Sequence, residues 1–334
     1  MKLSESGEFG LIELIKQALE SSRNADQASW QRLILGAGDD CAAWRGDPSI
    51  QLATTDTMVQ GVHFLKGSFR WEDLGHKAMA ANLSDIAAMG GVPLYALVSL
   101  SLPSHTMVEN VLSLYQGMID EGARYGVAII GGNISQAPLL VITINLLGNL
   151  PGQRMLLRST AQPGEEVAVT GYLGSAAAAV AMFRRKIKVN RATRAFLKQS
   201  HFHPEPRIEA GQALLRVGVK TAIDISDGLI SDLTRICEAS KVGAHIYSER
   251  VPVHPDLRQA LGRDSTAFAL AGGEDFELLF TAAPEIVQEV RSLLGIPVTV
   301  VGEIISDHPG QVSVSGRKGK ELDPKVKGWD HFQK

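Results

Sequence analysis

Cysteine is scarce in this sequence of 334 residues, which contains only Cys41 and Cys237. The two lie far apart and match no metal-ligand spacing, so the sequence indicates neither a disulfide framework nor a zinc site. We expect both as small buried side chains of a cytoplasmic protein. Long apolar runs are also missing, which predicts no membrane-spanning helix and no membrane partner. Segment 1–21 has the pattern of an amphipathic helix rather than of a signal peptide.

Neither sign of charge dominates, because 33 basic residues stand against 36 acidic ones. That balance predicts no nucleic-acid partner, since binding to a phosphate backbone needs concentrated positive charge. The P-loop pattern G-x-x-x-x-G-K-[ST] does not occur, and no G-x-G-x-x-G follows a strand-like segment. The two commonest nucleotide-binding fingerprints are therefore excluded.

What the sequence does contain is an alternation of strand-like and helix-like segments, which is typical of an α/β or α+β fold. The length exceeds what one core usually supports, so we expect two domains. The segment "GNLPGQ" at 148–153 is the best boundary and gives domains 1–149 and 150–334. We predict strands at 50–56, 94–103, 220–224 and 298–304, and helices at 71–91, 108–126, 207–218 and 228–240.

Acidic residues recur in stretches that are otherwise rich in glycine and apolar residues. Segment 221–233, "TAIDISDGLISDL", holds three aspartates among side chains that must be hidden. Carboxylates near a core are costly unless they are paired or bind a cation. Lysine and arginine are nearly missing from these stretches, so we expect no ion pairing within them. The acids concerned are Asp39, Asp40, Asp56, Asp85, Asp224, Asp227, Glu274 and Asp275.

Each of these acids also fits a plain structural role in a turn, a cap or a loop. Their joint recurrence, with hydroxyl groups beside several of them, favours a site for several Mg²⁺ ions and a phosphate-rich ligand. Mg²⁺ takes oxygen ligands from carboxylates, waters and phosphates. The glycine turn within 165–185 precedes a predicted helix, whose first N–H groups could also receive an anion. Asp232, farther along the helix that follows Asp227, is expected to be a surface or helix residue.

Two further residues fit either a structural or a binding role. His63 lies between the apolar Val62 and Phe64, as a core histidine would. Trp329 could hold the C-terminal segment against the body of the protein. It could equally offer its ring to a flat or cationic ligand.

Taken together, these motifs resemble the thiamine-monophosphate kinase family, in the superfamily of aminoimidazole ribonucleotide synthetase and selenophosphate synthetase. The resemblance covers nearly the whole chain. The segments "GVHF" and "KGWDHF" point to the kinase branch. The motifs that carry it are "GEFGLIELI", "GAGDDCA", "TTDTMVQGVHF", "KAMAANLSDIAAMGG", "GGNIS", "LLRSTAQPGEEVAVTG", "AIDISDGLISDL", "GGEDFELLFT" and "KGWDHF".

The resemblance implies an N-terminal domain that pairs across a homodimer, and a C-terminal α/β domain that completes the active-site cleft. It implies that ATP phosphorylates thiamine monophosphate to thiamine diphosphate. The Mg²⁺ ligands carried over by motif are Asp40, Thr54, Thr55, Asp56, Asp85, Asn133, Asp224 and Asp227. The residues carried over for ATP are Tyr115, Gly132, Arg158 and Ser226. Those carried over for the thiamine phosphate are His63, Glu274 and Trp329.

The implied reaction is a direct in-line transfer of the γ-phosphoryl group to a phosphate that is already an anion. No general base is needed, and catalysis would consist of positioning and of charge neutralisation by several Mg²⁺ ions, with Arg158 as a clamp. Three departures from the family pattern stand out. Asn133 replaces a commoner aspartate, the turn "GYLG" lacks a following aspartate, and His203 replaces a commoner arginine.

Three alternatives stay open. The chain could be another ATP-using member of the superfamily, such as a ribonucleotide cyclo-ligase or a selenophosphate synthetase, although the latter needs a reactive residue near its N-terminus and no cysteine precedes Cys41. It could be a non-catalytic module that binds metal or nucleotide. It could also be a metal-dependent phosphatase, which would need no ATP.

Overall fold

The computed structural model describes residues 3–36, 43–65, 67–184, 187–316 and 321–322. The chain divides into two compact units, which we treat separately. Unit 1 consists of Met1–Ile86 and Val92–Gln153, and unit 2 consists of Ala87–Gly91 and Arg154–Lys334.

Unit 1 is built on a four-stranded sheet. Its elements, in chain order, are α1 (Leu3–Ser21), α2 (Ala28–Arg32), β1 (Leu33–Leu35), β2 (Ala43–Trp44), β3 (Gln51–Val59), α3 (Trp71–Ala88), β4 (Val92–Leu102), α4 (Val108–Arg124), β5 (Ala128–Gln136) and β6 (Val141–Asn149). The sheet has the order β3-β6-β4-β5, in which β4 and β5 are parallel and the other pairs antiparallel. Strands β1 and β2 form a separate antiparallel pair.

Unit 2 is built on a seven-stranded sheet flanked by helices. Its elements are β7 (Glu166–Thr170), α5 (Ser175–Phe183), α6 (Arg191–Phe202), α7 (Ile208–Arg216), β8 (Thr221–Asp224), α8 (Leu229–Ser240), β9 (Gly243–Tyr247), α9 (Pro255–Leu261), α10 (Asp264–Ala271), β10 (Leu278–Ala282), α11 (Pro284–Leu293), β11 (Val298–Ile305), β12 (Val312–Ser315) and β13 (Glu321–Leu322). The strand order is β13-β12-β9-β11-β7-β10-β8. Only β12 and β9 pair in parallel among these described strands.

The predicted elements are confirmed, with one informative difference. The amphipathic pattern of α1 places Leu11, Ile15 and Leu19 one turn apart, and all three are buried. Strand β3 was expected to end at Asp56, but its pairing with β6 continues without interruption to Val59. Asp56 therefore lies inside a strand and not in the loop after it.

Helices α3 and α4 cross at two glycines with their backbones in contact. A Cβ atom at Gly75 would lie 2.0 Å from the carbonyl oxygen of Leu114, and one at Gly117 would lie 2.0 Å from that of Glu72. No side chain fits such a gap, so the crossing depends on glycine on both helices.

None of the described helices combines the length and the hydropathy that a bilayer crossing requires.

Cys237 is completely buried on α8, as expected, whereas Cys41 lies outside the described residues. Burial raises the pKa of the Cys237 thiol to about 12. Because only the thiolate is nucleophilic, this thiol is inert at neutral pH.

In a Cys41→Ser variant we expect no reaction of the native protein with dithionitrobenzoate, and one reactive thiol per chain after unfolding in guanidinium. Rapid reaction of the native variant would contradict the burial of Cys237.

Candidate active site

The first group of predicted site residues lies where β3 passes the C-terminal half of α3. Thr54 and Asp56 are two residues apart on β3, so their side chains share one face of the strand. The Thr54 hydroxyl donates to the Asp85 carboxylate, and the Asp56 N–H donates to the Asn82 side-chain oxygen at 3.1 Å. Asn82 and Asp85 are three residues apart on one face of α3. The structure thus brings Thr54, Asp56 and Asp85 to one strand–helix junction.

Two other predicted Mg²⁺ ligands, Thr55 and Asn133, do not join this junction within unit 1. The side chain of Thr55 is exposed and projects from the other face of β3, because side chains alternate along a strand. Asn133 lies on β5, which two strands separate from β3, a distance of about 14 Å. Strand geometry therefore divides these two side chains from the Asp56 and Asp85 carboxylates.

Three further predicted residues of unit 1 have structural surroundings that explain them in part: Tyr115, Gly132 and His63. Tyr115 is buried on α4, and burial raises the pKa of its phenol. A Cβ atom at Gly132 would lie 1.9 Å from the carbonyl oxygen of Val98, so the close approach of β5 to β4 requires glycine here. The Nδ1 atom of His63 accepts the main-chain N–H of Val59 at 3.0 Å, which fixes the ring after the end of β3.

In unit 2, the DISDG loop runs from Asp224, the last residue of β8, to Gly228, just before α8. One carboxylate oxygen of Asp232 accepts the main-chain N–H groups of Ser226, Asp227 and Gly228, at 3.0 to 3.1 Å. Asp232 lies on α8, as one of the two expected roles requires, but it is completely buried, so the expected surface position is wrong. The reason is that a carboxylate in the first turn of a helix can reach back to N–H groups that have no partner within the helix.

Arg235 joins the acids of this loop into a charge cluster. Its Nη1 atom donates to Asp232 at 3.1 Å, and its Nη2 atom donates to the carboxylate of Asp227. Burial opposes the charge of Arg235, but its bond to Asp227 and the charges of Asp232, Asp227 and Asp224 outweigh burial and raise its pKa. Burial, aided by the charge of Asp227, raises the pKa of Asp232 to about 7. The cation that pairs with these acids therefore comes from outside segment 221–233, since Arg235 lies farther along the following helix.

Residues 272–275 form the GGED loop, which is hydrogen-bonded to the DISDG loop through the main chain. The N–H of Glu274 donates to the carbonyl of Ser226 at 2.8 Å, and the N–H of Phe276 donates to the carbonyl of Ile225 at 3.0 Å. These bonds extend the antiparallel pairing of β10 with β8 into the two loops. The two acid-bearing motifs are therefore neighbours in space, although far apart in the sequence.

The close approach of these loops requires unusual backbone conformations. A Cβ atom at Gly273 would lie 2.2 Å from the carbonyl oxygen of Ser226, so no larger residue fits there. Glu274 and Phe276 have left-handed φ values of 66° and 52°. Such conformations cost free energy in non-glycine residues and persist only where the surroundings enforce them.

Asp275 caps the helix that follows the glycine turn. Its carboxylate accepts the N–H of Gly174 at 2.6 Å and that of Ala176 at 3.3 Å, at the start of α5. Burial raises the pKa of Asp275 to about 7. At the glycine turn where an anion could bind, two N–H groups therefore already bond a carboxylate of the same chain.

A partly buried ion pair lies just after the GGED loop. The Arg207 guanidinium donates to both carboxylate oxygens of Glu277, at 2.6 and 2.5 Å, and the Thr170 hydroxyl donates to the same carboxylate at 2.6 Å. The Thr170 hydroxyl also accepts the N–H of Leu278, at 2.8 Å. Bidentate pairs of this kind fix geometry as well as charge.

The remaining predicted residues of unit 2 differ in exposure. The side chain of Arg158 is exposed, while its carbonyl accepts the hydroxyl of Ser240 at 2.8 Å. The Glu274 carboxylate lies 3.5 Å from Nδ1 of His201, a histidine that is 2% exposed. The exposed Arg158 guanidinium is suited to holding an anionic group, and the Glu274 carboxylate is suited to holding a cationic one.

The predicted residues Asp40 and Trp329 lie outside the residues that the structure describes. Within the described ranges, no three His, Cys, Asp or Glu side chains cluster in a way that could hold a metal ion. The donors present nevertheless fit Mg²⁺ by their chemistry. Thr54, Asp56 and Asp85 are hard oxygen donors, and Mg²⁺ at phosphate sites uses one or two carboxylates together with waters and phosphates.

Sequence reasoning did not predict the contacts of five residues that shape the two groups of predicted site residues, although it had named Asp232 and Asp275 and each of the five stands in or near a motif. Asn82 and Arg235 stand within or close to a motif, and that proximity was the available signal. Asp232 stands in the first turn of a predicted helix, where a carboxylate is a capping pattern. The ion pair joins distant segments and left no local signal. The residues are Asn82, Asp232, Arg235, Asp275 and Glu277.

Comparison with known proteins places both halves of the chain in one superfamily. Residues 38–150 match AIR synthase related protein, N-terminal domain, and residues 162–315 match AIR synthase related protein, C-terminal domain. The chain is 38% identical over 340 residues to the thiamine-monophosphate kinase of Escherichia coli (strain K12), with 98% of each chain covered.

Two solved structures are similar over nearly the full length. The crystal structure of thiamine-monophosphate kinase from Stenotrophomonas maltophilia K279a has a TM-score of 0.80 at 32% identity, covering 95% of this chain and 98% of that one. The structure of AaThiL complexed with AMPPCP and TMP has a TM-score of 0.76 at 33% identity, covering 99% of both chains. The expected two-domain α/β fold is confirmed, and the chain belongs to the thiamine-monophosphate kinase family.

Proposed function

We propose that this chain uses ATP to phosphorylate thiamine monophosphate to thiamine diphosphate. The observation that carries this proposal is the similarity, over almost the whole of both chains, to a structure in complex with AMPPCP and TMP. AMPPCP is an analogue of ATP, the phosphoryl donor of such a kinase, and TMP corresponds to the acceptor. The names of the curated relatives support the same activity.

The proposed Mg²⁺ ligands combine acids and neutral oxygen donors. Bound Mg²⁺ would neutralise charge on the phosphates that must approach each other. The donor chemistry supports this assignment, and Thr55 and Asn133 are its weakest members because their side chains lie apart from the β3–α3 junction. The set is Asp40, Thr54, Thr55, Asp56, Asp85, Asn133, Asp224 and Asp227.

The organic and nucleotide contacts are assigned by motif. Tyr115, Gly132, Arg158 and Ser226 are proposed for ATP, with the exposed Arg158 guanidinium as a clamp on the nucleotide phosphates. His63, Glu274 and Trp329 are proposed for thiamine phosphate. An acidic side chain and an aromatic ring suit the cationic thiazolium of that substrate.

The transfer itself is proposed to be direct and in line. The acceptor phosphate is already an anion, so no side chain has to remove a proton before attack. The chain's work is to hold both phosphates at the correct separation and to counter their repulsion. Several Mg²⁺ ions, rather than one, would match the number of acids in the motifs.

The wider setting follows from the same family assignment. We propose a cytoplasmic homodimer with no nucleic-acid or membrane partner, and domains at 1–149 and 150–334. The nearly balanced charge supports the lack of a nucleic-acid partner.

An assay with ATP, Mg²⁺ and thiamine monophosphate tests the proposed function. We expect ADP and thiamine diphosphate to appear in equal amounts. Consumption of ATP without thiamine diphosphate would move the acceptor elsewhere in the superfamily. Phosphate release without ATP would favour a phosphatase, and the absence of any turnover would favour a binding module.

A further inference from the structure

Arg235 stands between two carboxylates that differ sharply in their access to solvent. Its guanidinium contacts Asp232, whose side chain is 0% exposed, and Asp227, whose side chain is 23% exposed. Asp227 can therefore reach a ligand in solution, whereas Asp232 has its bonds inside the protein. Arg235 itself is 41% exposed at its side chain, so it can be replaced without opening a cavity.

The three side chains form an electrostatic unit in which each charge acts on the others. When ionised, Asp232 places a negative charge next to Asp227, and three main-chain N–H groups hold its carboxylate in position. Arg235 places a positive charge directly on the Asp227 carboxylate. A cation that approaches Asp227 is therefore attracted by one buried charge and repelled by one resident charge.

We propose that Asp232 and Arg235 set the affinity of Asp227 for a divalent cation, Asp232 by strengthening it and Arg235 by restraining it. Both are positioning residues that act through Asp227 and touch neither the ion nor the substrate. The inference rests on the proposed function in one respect, namely that Asp227 contacts the ion. Its distinctive consequence is that the two substitutions change affinity in opposite directions.

The test uses the full chain with AMPPCP and Mn²⁺, with free Mn²⁺ followed by electron paramagnetic resonance at a pH above the pKa of Asp232. Arg235→Met is expected to tighten Mn²⁺ binding about tenfold, and Asp232→Asn to weaken it about tenfold, as expected for one unit charge near a partly exposed ion. The double variant should return to within about threefold of the wild type, since the two charge changes cancel.

Two further variants complete the design. Arg235→Lys keeps the charge and should stay within about threefold of the wild type. Asp227→Asn should lose one Mn²⁺ ion, which identifies the ion that the other variants affect. If Asp232→Asn does not fold, the comparison of Arg235→Met with Arg235→Lys decides the question alone.

A purely structural role gives a different pattern, because disorder of the loop weakens binding in every variant. Unchanged or weaker Mn²⁺ binding by Arg235→Met overturns the proposal, as does an Asp227→Asn variant that retains every ion. Each of these results is distinct from failure of the proposed function, which would appear as a wild-type chain that makes no thiamine diphosphate.

Discussion

Replacement of Asp56 by alanine is expected to lower the rate of phosphoryl transfer by at least about 10²- to 10³-fold, the usual cost of removing one group that stabilises transition-state charge. The carboxylate lies at the β3–α3 junction beside Thr54 and Asp85, where a cation could shield phosphate charge. The fold should survive, because the structural bond at this position joins the Asp56 main-chain N–H to Asn82 and alanine retains that N–H.

The matched control for Asp56→Ala is Asp120→Ala, which removes the same charge from the exposed face of α4 in the same unit. Asp120 bonds only to Gln116 among the described contacts, so its loss should change neither turnover nor stability measurably. Turnover is measured as thiamine diphosphate formed, and folding as the denaturant midpoint. Normal turnover by Asp56→Ala would remove Asp56 from the metal site.

Gly117→Ala is expected to destabilise unit 1 by about 3 kcal/mol or more, at the upper end of what overpacking costs. The new Cβ atom would lie 2.0 Å from the Glu72 carbonyl oxygen, so α3 and α4 would have to move apart. That movement would loosen the buried contacts of both helices. Because α3 carries Asn82 and Asp85, activity should fall with stability.

Gly122→Ala on the same helix is the control for Gly117→Ala. Its Cβ atom would meet Val127 at 3.5 Å and Met79 at 3.7 Å, which are ordinary contacts. Removing a helical glycine should then stabilise the chain by about 0.5 to 1 kcal/mol. Guanidinium denaturation followed by circular dichroism gives both values. Equal midpoints for the two variants would contradict the proposed backbone contact at Gly117.

Much of the fold could be predicted because apolar periodicity is local. The spacing of Leu11, Ile15 and Leu19 fixes the buried face of α1, and the long apolar segments at β4 and α4 have the lengths of a strand and a helix. The end of β3 could not be predicted, because it depends on pairing with β6, a strand far away in the sequence. Thr57, Met58 and Val59 after Asp56 are compatible with a strand, but the local sequence does not show where that strand ends.

The candidate site could be predicted by residue type more readily than by contact. The motif acids could be found because carboxylates among glycines are unusual. The residues that contact them could not be predicted in this way. Arg235 lies eight residues beyond Asp227 and meets it only once α8 has formed. Asp232 looks like a surface residue until its three N–H donors are seen. The face on which Thr55 projects likewise required the strand register.

The main-chain bonds between the DISDG and GGED loops bear on the entropy of ligand binding. Glu274 and Phe276 have left-handed conformations, and their main-chain bonds to Ser226 and Ile225 hold them in place. A ligand that binds these loops therefore has little backbone freedom left to remove. The free energy of ordering these loops is a cost of folding and not of binding, so more of the free energy of each new contact contributes to affinity.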